Sequence, residues 1–391
     1  MVLEPTTTTL NPHISLCRPG SEAWLGEEIR QAAPGNTLAG ESAGMVVWQG
    51  KAGQRGGFIF ERQRIPQARF LGKTAGPEAV KALHAWLEEA APARGGESRV
   101  QAFCPDGAPA ALLGQARELG RQASARLGLD APGDEPVPAA ARVIQVLVTP
   151  QGVWAGAAPA GDLPSPFPGG VPGLRLPPGA PSRSMLKLLE AWLLMGHRPQ
   201  ARERVVDLGA APGGWTRACL ERGCRVVAVD NGPLKIPGLE DLPGELRHLR
   251  SDGLRYRPEG GDIPVDWLVA DMLIAPGVCL GLLRKWLDGG WVRNLVVNIK
   301  LPQRQPLGAL APMTEWLDTR PELAWRLQQL YHDRREVTLM ARLTGPAGTR
   351  PAKRAAGASA GQAAPPGKAA PRRGRRPTPT GKRPPNRRRR S

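Results

Sequence analysis

Four polar residues end or follow segments that we interpret as strands in the second half of the chain. They are Asp230, Asp252, Asp271 and Lys300. The carboxyl ends of strands in an alternating α/β sheet form one edge, and such sheets bind their ligands there. A lysine that ends a buried strand needs a charge partner or a function, because an unpaired buried charge is costly. The spacing therefore predicts a ligand site at this edge.

Each candidate has a plainer interpretation when it is taken singly. Lys300 could be a surface lysine, Asp271 a helix cap and Asp252 a turn residue. Lys187 lies on a predicted helix before this region, where a lone lysine is usually solvated. Glu336 follows two arginines and is equally unremarkable by itself. Only the combination of these residues is specific.

A glycine-rich turn follows the apolar segment 204–208, and the next apolar segment ends at Asp230. Glycines let the backbone approach a ligand closely, and the acid accepts hydrogen bonds from ribose hydroxyls. The turn lacks the G-x-G-x-x-G spacing that a dinucleotide pyrophosphate needs, which disfavours NAD. Ala210, Ala211 and Pro212 fill the turn instead. This pattern predicts S-adenosylmethionine as the cofactor.

Strands alternate with helices over residues 182–344, which predicts an α/β domain with a parallel sheet and right-handed crossovers. We predict strands at 204–208, 225–230, 246–250, 267–270, 295–300 and 336–343. We predict helices at 182–195, 215–222, 278–286 and 313–319. A Pro/Gly-rich linker at 163–181 separates this domain from the first half of the chain.

The first half reads as α+β, with a module at 11–60 and a second domain at 61–162. In the module we predict a strand near 13–19, a helix after Ser21 as N-cap, and strands at 44–48 and 57–60. In the second domain we predict helices near 77–90 and 110–127, with strands at 99–103, 143–149 and 152–156.

The net charge of +18 is unevenly distributed along the chain. Residues 345–391 hold fourteen Lys and Arg residues and no Asp or Glu, which leaves +4 for the rest. This tail lacks aromatic residues and is rich in Pro, Gly, Ala and Arg, so we predict that it is disordered. It could bind nucleic-acid phosphates or merely keep the protein in solution, and composition leaves both open.

The five cysteines are dispersed, with neither a C-x-x-C pair nor metal-ligand spacing. We therefore expect reduced thiols and no metal site. Every apolar run is too short to span a membrane, and residues 1–10 lack a signal-peptide pattern. These features predict a cytoplasmic protein without a membrane partner. They do not indicate an oligomeric state.

The combination of motifs carries a family resemblance. Around the segment DLGAAPGGW, four residues resemble the Lys-Asp-Lys-Glu tetrad of FtsJ-like 2′-O-ribose methyltransferases, namely Lys187, Asp271, Lys300 and Glu336. Longer segments, among them LCRPGSEAWLGEEI, VAVDNGPL, NIKLP and QLYHDRREVT, are similar to the ribosomal RNA large subunit methyltransferase M family. The resemblance covers roughly residues 13–343. Ala211 departs from it, since many relatives have Cys there, and the Arg-rich tail lies outside it.

The resemblance implies a Rossmann-like S-adenosylmethionine-dependent methyltransferase domain preceded by a THUMP-like RNA-binding half. It implies 2′-O-methylation of a cytidine in 23S rRNA, either unassembled or in an early assembly intermediate. The tetrad would activate the hydroxyl, with Lys300 as the contacting group. The implied cofactor-binding residues are Ser184, Gly209, Ala211, Pro212, Gly213, Gly214, Trp215, Asp230, Asp252 and Asp271.

Other functions fit the residues less well. A base amino-methyltransferase would have an aromatic N/D-P-P-Y motif after the fourth strand, but this chain has ADMLIAPG there. A cytosine-C5 enzyme needs a cysteine nucleophile, and Cys279 lies in a predicted helix. A non-catalytic RNA-binding or ribosome-assembly factor, or a 2′-O-methyltransferase of another RNA, remains the alternative.

Overall fold

Three β-sheets form the framework of the protein in a computed structural model. The structure describes residues 11–51, 57–90 and 97–344. The sequence-predicted disordered tail at 345–391 lies outside the described residues.

The first sheet is four-stranded and antiparallel, with the strand order β2-β3-β1-β4. Its elements are β1 (His13–Leu16), α1 (Glu22–Ala32), β2 (Thr37–Ser42), β3 (Met45–Gln49) and β4 (Gln63–Ile65). Ser21 precedes α1 as predicted but makes no capping bond, because its hydroxyl donates to Gln329 Oε1 at 2.9 Å instead.

The predicted strand at 57–60 is wrong, since the chain forms a turn there. The apolar run misled the prediction because Phe58 and Phe60 are core residues, 7% and 0% exposed, without belonging to a sheet. The carboxylate of Glu28 replaces the missing strand partner, since it accepts the backbone N–H of Ile59 at 2.6 Å and of Phe60 at 3.2 Å. Burial raises the pKa of Glu28 to about 8.

The second sheet along the chain has the order β5-β8-β7-β6. Its elements are β5 (Arg69–Gly72), α2 (Pro77–Ala90), β6 (Ser98–Phe103), α3 (Ala110–Leu127), β7 (Arg142–Thr149) and β8 (Gly152–Pro159). The two predicted helices and three predicted strands of this region are confirmed. The short strands β2, β4 and β5 were not predicted from the sequence.

The third sheet has seven strands in the order β11-β10-β9-β12-β13-β15-β14. The first half of this region contains α4 (Met185–Met195), β9 (Arg204–Leu208), α5 (Gly214–Leu220), β10 (Arg225–Val229) and β11 (Glu245–Leu249). The second half contains β12 (Val265–Ala270), α6 (Pro276–Asp288), β13 (Val292–Lys300), α7 (Pro306–Asp318), β14 (Leu323–Gln328) and β15 (Glu336–Leu343). The predicted α/β domain is thereby confirmed.

The expectation of an all-parallel sheet is wrong at one edge. β15 runs antiparallel to β13, and β14 pairs antiparallel with β15 as an edge strand that was not predicted. An edge strand pairs on one side only, so β14 carries polar residues and lacks the apolar signal of a buried strand. Helix α7 begins seven residues earlier than predicted, because Pro312 lies inside it and Pro306 opens it.

The first and third sheets share one hydrophobic core. Leu25 and Trp48 of the first module belong to the same buried cluster as Leu283, Trp286 and many residues of the third sheet. Hydrogen bonds also join the two, such as Gln329 N–H to the Ile59 carbonyl at 2.7 Å. The first module is thus fixed against the third sheet. Among the described helices, none combines the length and the apolar character needed to cross a membrane.

Candidate active site

The chain order reverses between β9 and β12, which lie side by side in the third sheet. Crevices at such switch points, outside the carboxyl ends of the strands, are the usual ligand sites of α/β sheets. Gly209 directly follows β9 and Asp271 directly follows β12. The glycine-rich turn and the predicted tetrad therefore lie at one edge of one sheet.

Strand register brings two tetrad residues together. Lys300 ends β13 and Glu336 begins β15, and the antiparallel register pairs these two residues directly. Directly opposed residues of an antiparallel pair have side chains close together on one face. Lys187, the third residue of α4, lies over the same strand end. All four predicted tetrad residues thus meet.

The four side chains form a closed ring of alternating charge. Asp271 approaches Lys300 Nζ with Oδ1 at 3.1 Å and Lys187 Nζ with Oδ2 at 3.7 Å. Glu336 Oε1 accepts a hydrogen bond from Lys187 Nζ and lies 3.6 Å from Lys300 Nζ. Each carboxylate therefore contacts both lysines.

Exposure and pKa shifts separate the members of the ring. The side chain of Lys300 is 24% exposed, against 9% for Lys187 and 10% for Glu336, so Lys300 can best reach a ligand. Burial alone would lower the pKa of Lys187, but the negative charges of Asp271, Asp333 and Glu336 raise it above its usual value. Burial alone would raise the pKa of Glu336, but Lys187 and Lys300 lower it.

The plainer interpretations of three tetrad residues do not hold. Lys187 is not a solvated helical lysine, since only 7% of the residue is exposed. Asp271 does not cap α6, because Ala275 occupies the N-cap position. Lys300 is no isolated surface charge, since its ammonium also donates to Asn298 Oδ1 at 2.9 Å.

The glycine-rich turn is shaped by backbone conformation and close packing. Gly209 and Gly213 have φ of 77° and 117°, which other residues rarely adopt. A Cβ on Gly209 would lie 2.6 Å from Met272 Cγ, and one on Gly213 would lie 2.6 Å from Ile236 Cγ1. Asp230 accepts the backbone N–H of Ala211 at 3.1 Å and of Gly232 at 2.7 Å. The Asp230 carboxylate is therefore oriented toward the turn, in which Pro212 lies between Ala211 and Gly213.

The other predicted cofactor residues differ in what they can offer. Ser184 immediately precedes α4, and its carbonyl accepts the indole N–H of Trp215 at 2.7 Å. Trp215 is only 3% exposed, so its ring packs beneath the turn. Gly214 begins α5 and is buried. Asp252 is exposed and accepts the backbone N–H of Leu254 at 2.8 Å, as a turn residue does.

A buried hydrogen-bond network behind Lys300 was missed from the sequence. Asn298 Nδ2 donates to Asp333 Oδ1 at 2.8 Å and to Thr338 Oγ1 at 3.1 Å, which turns its Oδ1 toward Lys300. Burial raises the pKa of Asp333 well above its usual range, against the opposing charge of Lys187. The signal for Asn298 was available, because residues two apart in a strand share a face.

Asp207, also missed, is a second buried carboxyl at this edge. It lies on β9, is 1% exposed and accepts a hydrogen bond from Thr216 Oγ1 at 2.6 Å. Burial raises the pKa of Asp207 to about 7, with Asp271 and Asp230 adding to the shift and Thr216 opposing it.

Replacement of Asp207 by asparagine is expected to change the pH dependence of stability. The folded-state pKa is raised, so the contribution of Asp207 is fully present below pH 3.8 and lost as pH rises through about 7. The free energy of unfolding of Asp207→Asn, relative to the wild type, should therefore rise by on the order of a few kcal/mol as pH increases between these values. Urea unfolding from pH 4 to 8 measures this difference. The exposed Asp318→Asn is the control, and a gain shared by both variants would contradict the assignment.

No group of three or more His, Cys, Asp or Glu residues within the described ranges could hold a metal ion. Lysines and carboxylates lie at this edge beside a turn that allows close ligand approach.

A known protein family matches part of this chain. Residues 180–280 match the family model described as FtsJ-like methyltransferase. This stretch includes α4, the glycine-rich turn and Asp271. The match confirms, for this part of the chain, the resemblance predicted from the sequence.

Similar curated proteins share one name. The protein named ribosomal RNA large subunit methyltransferase M of Alkalilimnicola ehrlichii is 48% identical over 198 residues, 48% of this chain and 53% of that protein. Its namesake in Laribacter hongkongensis is 43% identical over 248 residues, 61% of this chain and 64% of that protein. The matched part of the chain thus spans between about half and two thirds of these relatives. The crystal structure of TrmN from Thermus thermophilus matches 85% of this chain and 99% of that chain, with 17% identity and a TM-score of 0.32.

Proposed function

We propose that the protein is an S-adenosylmethionine-dependent 2′-O-ribose methyltransferase that modifies a cytidine of 23S rRNA. The observation that carries the proposal is the closed ring of Lys187, Asp271, Lys300 and Glu336 beside the glycine-rich turn. The FtsJ-like match and the names of the curated relatives support methyl transfer to ribosomal RNA. A protein that only binds RNA has no need of a partly exposed strand-end lysine between two carboxylates.

The residues at the turn fit S-adenosylmethionine. Each oxygen of Asp230 accepts one backbone N–H and retains a lone pair for a ribose hydroxyl. Asp252 Oδ2 lies 3.5 Å from Arg255 Nε in an exposed ion pair, and this carboxylate would take the adenine amino group, as the family resemblance implies. Gly213, Gly214 and Trp215 would line the methionine end and Ser184 would contact the cofactor, with Gly209, Ala211 and Pro212 completing the turn.

When bound, the cofactor supplies an electrophilic methyl group on its sulfonium. The ribose hydroxyl is a weak nucleophile and must lose its proton as its oxygen bonds to the methyl carbon and the carbon–sulfur bond breaks. Lys300 in its neutral form accepts that proton, and Asp271 and Glu336 stabilise the ammonium so formed. The positive charge of Lys187 stabilises the developing alkoxide. Holding hydroxyl and methyl in line supplies much of the remaining rate.

The domain division belongs to the same proposal. Residues 11–60 and the THUMP-like 61–162 would bind RNA, 163–181 would link them to the methyltransferase domain at 182–344, and the tail at 345–391 would add contacts with phosphates. The substrate would be unassembled 23S rRNA or an early assembly intermediate, and the reaction would take place in the cytoplasm.

The proposal is tested by incubating the full chain with methyl-labelled cofactor and an unmodified 23S rRNA transcript. After digestion to nucleosides, label is expected in 2′-O-methylcytidine. Label in the base would refute the ribose assignment, and label on a different 2′-O-methylnucleoside would refute the cytidine assignment. Specific RNA binding without any labelled product would favour a ribosome-assembly factor.

Asn298→Ala is expected to lower kcat by roughly 10- to 100-fold, because a small misplacement of a reacting group is enough for such a loss. The variant removes the oxygen that holds Lys300 at 2.9 Å but leaves the four ring residues unchanged. Steady-state methyl transfer measures the effect. Asn294→Ala is the matched control, since Asn294 lies on the same strand and donates to the Asp266 carbonyl at 2.9 Å. Equal losses in both variants would mean that Asn298 does not position Lys300.

A further inference from the structure

A cavity of about 680 Å³ opens beside the tetrad ring, within the usual range of about 300–1,000 Å³ for ligand pockets. Lys187 and Glu336 form part of its wall. Arg18 lines it from the loop after β1, and Asp106 lines it from the loop after β6. Loops that follow strands of the first and second sheets therefore complete the cavity beside the third sheet.

The cavity has an excess of positive charge available to a ligand. Its two lining carboxylates are occupied, since Asp106 pairs with Arg62 at 2.7 Å and Glu336 pairs with the lysines. Arg183 and Arg334 also line it, and both are exposed. Neither guanidinium has a side-chain or carbonyl partner among the described residues. Two unpaired guanidiniums at the mouth of a polar cavity favour an anion such as a phosphodiester.

Tyr331 adds an aromatic ring to the cavity wall. The loop that carries it is held by the buried carboxylate of Glu190, which accepts the backbone N–H groups of Tyr331 at 2.7 Å and His332 at 3.1 Å. The guanidinium of Arg62 stacks 5.2 Å from the centroid of the tyrosine ring. Such a fixed aromatic residue among arginines is typical of surfaces on which unpaired bases stack.

We infer that this cavity binds the ribonucleotide that carries the reacting hydroxyl, together with its flanking phosphates. Arg183 and Arg334 bind phosphate, Tyr331 contacts the base, and Arg18 and Asp106 close the cavity from the first half of the chain. RNA is favoured over a protein partner because an aromatic ring, unpaired guanidiniums and the tetrad ring line one space. The inference rests on the proposed function, since it assigns the substrate of the same site.

The test is a binding measurement, so that it does not depend on turnover. Filter binding of the full chain to an unmodified 23S rRNA transcript is measured over a range of salt for wild type and the double variant Arg183→Ala/Arg334→Ala. Two lost phosphate contacts should weaken affinity roughly tenfold or more and reduce the salt slope by about 2. Neither arginine has an internal partner, so the variant is expected to fold.

The matched control is Arg202→Ala/Arg342→Ala, which removes two exposed arginines at the amino-end edge of the same sheet. Its affinity should stay within about twofold of the wild type if the cavity binds specifically. Equal losses of affinity in both double variants would mean that only the overall charge matters, and would overturn the inference. Unchanged affinity in Arg183→Ala/Arg334→Ala would also overturn it.

Tyr331→Ala and Tyr331→Phe test the base contact. Loss of a stacking ring should weaken RNA binding roughly tenfold in the alanine variant, whereas phenylalanine keeps the ring and should bind like the wild type. Unchanged binding by the alanine variant would remove Tyr331 from the site. If the wild type binds RNA but methylates no ribose, the proposed function fails while these variants still decide what the cavity binds.

Discussion

Lys300→Ala is expected to lower kcat for methyl transfer by about 10²- to 10⁴-fold, the usual range for loss of a general base. The side chain of Lys300 is the most exposed of the four in the ring, so it is the group that can contact a ribose hydroxyl. Lys187 and both carboxylates remain in the variant, but the amine that accepts the proton from the hydroxyl is gone. The affinity for S-adenosylmethionine should change little, because the turn and Asp230 are untouched.

Lys300→Arg separates proton acceptance from charge. A guanidinium remains protonated at all accessible pH values, so this variant should keep the ion pairs with Asp271 and Glu336 but lose activity as the alanine variant does. Single-turnover rates of the wild type and both Lys300 variants provide the measurement. An active arginine variant would show that Lys300 acts only through its charge.

The carboxyl edge of the third sheet could be predicted because its signals are local. Gly209 and Asp230 report on a turn and a strand end within about twenty residues of each other, and each apolar segment marks its own strand. The burial of Lys187 could not be predicted in this way. Its helix shows only a lysine among leucines, and its carboxylate partners lie far along the chain. The tetrad was therefore recognised through a family resemblance, not from the physical signal of each residue.

The contacts at the antiparallel edge of the sheet could not be predicted from the sequence either. The contact between Lys300 and Glu336 depends on strand register, which forms only when β13 and β15 pair. The contacts of Asn298 depend on the same register, since Thr338 lies directly opposite it. The cavity depends on residues that are even farther apart in the sequence. The guanidinium of Arg18 donates to the backbone carbonyl of Asp333 at 2.8 Å, across 315 residues. Contacts between separate sheets have no local pattern in the sequence.

Lys187→Met should both inactivate and destabilise the protein. Lys187 is 7% exposed and pairs with Glu336 and Asp271, so its removal leaves these buried carboxylates with Lys300 as their remaining cation in the ring. Breaking a buried ion pair from one side usually costs about 3–5 kcal/mol, and Lys300 still compensates part of the charge, so we expect about 3 kcal/mol. Urea unfolding at pH 7 measures this loss.

The double variant Lys187→Met/Glu336→Gln distinguishes the structural role from the catalytic one. It removes both charges, so most of the lost stability should return, while methyl transfer should remain absent because the alkoxide lacks its second cation. The raised pKa of Lys187 gives stability that is present below pH 10.5 and lost above the folded-state value. The lowered pKa of Glu336 gives stability that is present above pH 4.5 and lost as pH falls through the folded-state value. The stability of the wild type relative to the double variant should therefore be greatest between these pH limits. Full methyl-transfer activity in the double variant would exclude the ring from catalysis.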